Sequence, residues 1–239
     1  MKKFAVVLSC LLMVCVLFAG CVKQEQAQEE TAEPFDFTIY DKALNRVEQV
    51  LALSQDAEIP EGMEGIYEFG QIYGEEAENL LGYQYEDLNQ DGTPELLVGV
   101  SLEEGDVFLQ NQIYLVYTAK EGEPVKILSA SGRNMYSLLT DGHLAYFGSE
   151  GAAYSIFGEY ALNEENQWDC TDYYFTHEVD GDFENIGVFH NTTGNFDVAS
   201  SNALSITLDE FYELEEELTL RILPLSDYIP LSDFQYIEK

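Results

Sequence analysis

One stretch of the chain carries residues with the types and spacing to do chemistry. Residues 87–95 read Asp-Leu-Asn-Gln-Asp-Gly-Thr-Pro-Glu. Oxygen-bearing side chains fall at positions 1, 3, 5 and 9 of the run, as Asp87, Asn89, Asp91 and Glu95, with Gly92 at position 6. Hard divalent cations such as Ca²⁺ want six to eight oxygens at about 2.4 Å. In a tight coil alternate side chains converge on one point, so positions 1, 3 and 5 supply three of them. Glycine permits the sharp reversal that turns the carbonyl of Thr93 onto the ion. Glu95 then closes the cage. A metal-free hairpin is the alternative, because Asn, Asp and Asp-Gly favour turns without any ion. A bare turn does not require acids at positions 1, 5 and 9, although a chain this acidic also meets that spacing by chance.

The other chemical signals are thin. The chain contains no Gly-x-Ser-x-Gly, no His-Glu-x-x-His and no phosphate-binding loop. His143, His177 and His190 stand singly and read as surface or packed residues. Acid pairs able to hydrolyse a glycoside are too easily found among 45 Asp and Glu to carry weight. The tyrosines and Trp168 could line a sugar platform, but aromatics in a meander mostly pack across strands. Asp180-Gly181-Asp182-Phe183-Glu184 alternates acids but lacks later ligands, and reads as a solvated turn. No catalytic or organic-cofactor residue is assigned.

The calcium pattern begins like an EF-hand and does not finish like one, since position 12 is Val98 instead of a bidentate Glu. It more closely resembles the short loops of integrin-alpha-type FG-GAP repeats, which join two strands. Asp-Gly-Thr-Pro-Glu-Leu after a Tyr-rich strand is also similar to a line found in uncharacterised lipoproteins of Gram-positive gut bacteria. The resemblance implies a calcium loop behind a lipid anchor and a helix. It brings no activity with it.

The first 21 residues support that anchor. Lys2 and Lys3 precede an apolar run from Phe4 to Phe18, too short to span a bilayer comfortably. Leu17-Phe18-Ala19-Gly20-Cys21 resembles a bacterial lipobox, with Phe18 where Leu is usual. The resemblance implies cleavage before Cys21 and a diacylglyceryl thioether on its sulfur, whose two chains suffice for firm anchoring. An uncleaved anchor or a soluble secreted form is the alternative. On this reading residues 1–20 are a signal peptide, 21–34 an acidic flexible tether, and 35–239 a single extracytoplasmic domain. Cys10 and Cys15 leave with the signal peptide and Cys21 is lipidated. Cys170 then remains alone, without a disulfide partner and inert.

Charge narrows the partners. The 239 residues hold 45 acids and 10 Lys plus Arg, a formal charge of −35. Such a chain repels nucleic acid and anionic lipid head groups and concentrates cations. An apolar share of 46% is enough for a sizeable core. The membrane partner is therefore reached through the lipid; a protein or glycan ligand stays unnamed.

The elements that position the loop follow from periodicity. Tyr40, Leu44, Val47 and Leu51 predict a helix over 39–54 with Thr38 as N-cap. Residues 57–66 read as loop, and 67–80 as a short second helix ending near Leu80. From Gly82 the period becomes two, and strand-like stretches follow at 83–86, 95–100, 107–109, 112–117, 123–129, 135–139, 143–147, 154–162 and 167–176. Glu121-Gly122, Asp141-Gly142, Glu164-Glu165-Asn166 and Asp180-Gly181 separate several of them. Thr207 and Glu210 predict a capping box on an acidic helix at 207–218. Residues 223–237 read as an extended strap. The expected fold is α+β: an N-terminal helix, a curved antiparallel meander of seven to nine strands, and a C-terminal acidic helix. The expected role is a non-enzymatic binding or accessory module with a structural Ca²⁺. The alternatives are a carbohydrate-active or other hydrolytic enzyme, needing two facing carboxylates in a pocket, and a solute-binding lipoprotein of a transporter, needing two hinged lobes.

Overall fold

The computed structural model describes residues 34–100, 111–151, 154–225 and 228–237. The signal segment 1–20, Cys21, all but the last residue of the tether, and the strand expected at 107–109 lie outside the described residues. Phe35–Lys239 form one unit by their contacts.

The N-terminal helical layer is built as the apolar stripe requires. A 3₁₀ turn (Phe37–Tyr40) leads into α1 (Asp41–Leu51), which buries Ala43, Leu44, Val47, Val50 and Leu51. The cap is Asp36, not Thr38: its carboxylate accepts the Thr38 amide at 3.1 Å, and the 3₁₀ turn takes up the first residues of the expected helix. Helix α2 (Glu64–Tyr73) begins inside the stretch read as loop, and α3 (Ala77–Leu80) ends where the period changes.

Among the described residues eleven strands then form one sheet: β1 (Leu81–Glu86), β2 (Glu95–Val100), β3 (Ile113–Lys120), β4 (Glu123–Ser129), β5 (Met135–Leu138), β6 (Leu144–Ser149), β7 (Ser155–Leu162), β8 (Trp168–Val179), β9 (Asp182–Asn191), β10 (Asn202–Leu204) and β11 (Ile229–Pro230). The order is β10-β9-β8-β7-β6-β5-β3-β2-β1-β11, with β4 paired to β3 off this path, and every pairing is antiparallel. The class is the α+β meander expected, sheet-dominated and open. The strand number exceeds the expected seven to nine because three strands were hidden. The acidic run expected as a plain turn at 180–184 holds the turn at Asp180-Gly181 and then opens β9. Strands β10 and β11 are too short to show a period.

Strand β2 explains its unbroken apolar run. Leu96, Val98 and Val100 pack with α1 and α2, whereas Leu97 packs with Ile113, Val116 and Leu225 of the strap. Helix α4 (Leu208–Thr219) carries the predicted capping box: Thr207 Oγ1 accepts the Glu210 amide at 3.2 Å, and Glu210 accepts the Thr207 amide at 2.8 Å. Phe211 and Leu218 bury against Ala145, Phe147, Phe157 and Val188. The tyrosines pack across strands, as in Tyr146–Tyr173 (6.2 Å, 11°), and the indole N–H of Trp168 donates to the Ile127 carbonyl.

Candidate functional site

The 87–95 run joins β1 to β2, which pair up to Glu86↔Glu95. Two points fix its start and end. Leu88 is buried in the core, and the Pro94 carbonyl accepts the Tyr40 hydroxyl at 2.6 Å. Pro94 stands just outside β2, where its missing N–H costs the ladder nothing.

Between these anchors the acids turn onto the loop's own amides. Asp87 accepts from the amides of Asp91 (3.1 Å) and Gly92 (3.0 Å) through its two oxygens. Asn89 Oδ1 accepts the Asp91 amide at 3.2 Å, and Asp91 accepts the Thr93 amide at 2.7 Å. Gly92 has φ +87°, the left-handed conformation that makes the reversal possible and that a side chain would strain. Asp87 is half-buried and Asp91 exposed. A carboxylate oxygen offers two lone pairs, so one amide bond leaves acceptor capacity on each. Among the described residues no lysine, arginine or histidine pairs with Asp87, Asp91 or Glu95.

Glu95 lies deeper, with none of its surface exposed. Its Oε2 accepts the Leu88 amide at 3.0 Å and its Oε1 the Thr118 hydroxyl at 3.1 Å. Burial, reinforced by the nearby charges of Asp91 and Asp87, pushes its carboxyl up to about 7 against the two hydrogen bonds that pull it down. The side chain that was to close the cage is therefore the floor of the loop, poised to lose its proton near neutrality.

A second segment touches the loop that its local sequence does not announce. Asn89 Nδ2 donates to the Asn163 carbonyl (3.2 Å) and to Asn166 Oδ1 (3.1 Å), both in the turn between β7 and β8. Asn166 sits at φ +60°, the kind of position Asn tolerates. It reads locally as a turn former only; its reach to Asn89 follows from the sheet order.

Three acid or histidine side chains elsewhere bring their ligand atoms within 4.8 Å of one another: Asp141, His143 and Glu159. The Arg221 guanidinium already stands among them, 2.6 and 3.1 Å from the two Glu159 oxygens and 2.5 Å from Asp141. His143 Nδ1 lies 2.6 Å from Glu159. Burial raises the Glu159 carboxyl, but the bonds from Arg221 and His143 outweigh it and hold it below the usual range. This group is a clasp with its own counterion, one guanidinium shared by two carboxylates. It is set by the segment after α4, where Leu223 donates to the Leu138 carbonyl and Thr140 to that of Arg221.

The remaining singletons have partners too. His190 Nε2 lies 2.9 Å from Asp172, and His177 stacks on Tyr154 at 5.0 Å. Cys170 is free and half-buried, and burial pushes its thiol up, so the reactive thiolate is scarce. Comparison with known proteins supplies no relative: no protein-family model, no curated protein and no solved structure matches the chain.

Proposed function

We propose that the protein is a lipid-anchored extracytoplasmic module of bacterial type, held at the membrane through Cys21, whose 87–95 loop binds a structural calcium ion. It acts as a binding or accessory module, not as an enzyme. The observation that carries the reading is the unbalanced charge of the loop. Asp87, Asp91 and Glu95 stand near enough to feel one another's charge, though their oxygens are not drawn within 4.8 Å of one another as the ligand atoms of the clasp are. Among the described residues no cationic side chain pairs with them, whereas the clasp at Arg221 has its counterion built in. Asp87, Asn89 and Asp91 would supply side-chain oxygens, Thr93 its carbonyl, and Glu95 a carboxylate once deprotonated. The ion neutralises the acids and fixes the β1–β2 connection. One antiparallel sheet, in place of two hinged lobes, favours this reading over a transporter's solute receptor.

Thermal unfolding in chelator and in calcium tests it. Extracellular calcium modules bind at about 10⁻⁴–10⁻³ M, so about 10 mM calcium adds about 1.4–2.7 kcal/mol and raises Tm. Asp87→Ala combined with Asp91→Ala abolishes the rise. Identical melting of the parent protein in chelator and in calcium refutes the ion.

A further inference from the structure

A cleft opens where α4 crosses the polar end of the strands beneath it. Its volume is about 180 Å³, and its lining includes Phe157, Asp172, Tyr174, Leu214, Glu217 and Leu218, with Glu159 and Arg221 at one side. That is room for about six waters. The register explains the mixed character. Phe157 pairs with Tyr174, and two residues along each strand Glu159 pairs with Asp172, so an apolar pair and an acidic pair share one face. Helix α4 repeats the pattern from above, with Leu214 and Leu218 beside Glu217.

The charges in and beside the cleft are uneven. Arg221 is consumed by Glu159 and Asp141, in contacts of 2.5–3.1 Å. Asp172 gives Oδ1 to His190, and Glu217 stands exposed on the rim. The cleft thus offers an anionic mouth of Asp172 and Glu217 over apolar walls, in a protein whose net charge concentrates cations. Glu159 and Asp172 pair across β7 and β8, and the guanidinium that holds Glu159 ionised unfits it to act as a general acid.

We infer that this cleft is a binding site for a small organic cation, an ammonium group on a short apolar body, with the ammonium between Asp172 and Glu217 and the body against Phe157, Leu214 and Leu218. The site is independent of the calcium loop. It is tested by titrating the full chain with n-hexylamine, and with n-hexanol as the neutral match, by calorimetry in EDTA and 150 mM NaCl. Chelator takes the calcium loop out of play, and salt screens diffuse attraction. The amine binds, and the alcohol binds at least about tenfold more weakly, the worth of one charge-assisted hydrogen bond. Asp172→Asn weakens the amine about tenfold, and Glu217→Gln about threefold, as suits an exposed rim charge. Glu217→Gln lies on the wet side of α4 and keeps the test valid if Asp172→Asn disturbs the sheet, which circular dichroism reports. Equal binding of amine and alcohol, amine binding that neither variant alters, or no amine binding at millimolar concentration overturns the inference.

Discussion

The β1–β2 loop and the Arg221 clasp are built from the same carboxylates and differ in what balances them. In the clasp, Asp141 and Glu159 both meet the Arg221 guanidinium at hydrogen-bond distance, Glu159 also the His143 imidazole and Asp141 the His143 backbone amide, and both are held below their usual range even though burial opposes it. In the loop, Asp87 accepts from backbone amides and Asp91 from a backbone amide and the Asn89 side-chain amide, all uncharged, and Glu95 beneath them rises to about 7. Partial dipoles satisfy hydrogen bonds but do not cancel a formal charge. Whether a group of acids is closed or still receptive to a cation is decided by the counterion, not by how many acids it contains.

Three experiments sharpen this contrast. The largest effect belongs to Glu95. Its folded value lies above the ordinary 4.5 of the unfolded chain, so its stabilising contribution is complete below about 4.5 and lost as pH rises through about 7. In chelator, urea unfolding between pH 5 and pH 9 loses up to about 3 kcal/mol, and Glu95→Gln flattens that slope. Calcium restores part of the loss at high pH by favouring the ionised form. A parent protein equally stable at both ends of the range breaks the contrast.

The clasp behaves in the opposite sense. Glu159 is depressed, so its contribution is present above about 4.5 and lost as pH falls below the unfolded value. Arg221→Ala leaves a nearly buried carboxylate without its partner and costs about 2 kcal/mol in urea unfolding at pH 7. This is less than a fully buried pair, because the guanidinium is two-fifths exposed. The loss shrinks at pH 4 as Glu159 takes up a proton. Asn89→Ala has the smallest effect. It cuts the loop from the β7–β8 turn, lowers stability by about 1 kcal/mol in chelator, and reduces the calcium-induced rise in Tm.

What the sequence revealed was local. Turns announced by Gly or Asn at positive φ, such as Gly122, Gly142, Asn166 and Gly181, separate the strands as read. Thr207 and Glu210 form their box because both partners lie within four residues. The loop was legible in the same way, as types at a spacing. Glu95 was not legible as a buried group, since its depth comes from Thr118 on β3 and Leu88 across the hairpin. The clasp gathers Asp141, Glu159 and Arg221 from three distant segments, and no window of sequence contains it. Strand β9 was missed because Asp182, Phe183, Glu184 and Asn185 are all exposed, so its outer half shows no alternation.

The two margins of the sheet are three- and two-residue strands, β10 and β11, and the second ends in a proline. An open sheet of this width would ordinarily offer neighbouring molecules a long template for strand addition. The cover is partial: β10 pairs with only Val188, Phe189 and His190 of the ten-residue β9, and among the described strands the seven-residue β4 pairs with β3 alone. The stretch of β9 left open carries Asp182 and Glu184, and the like charges of crowded copies oppose strand addition there.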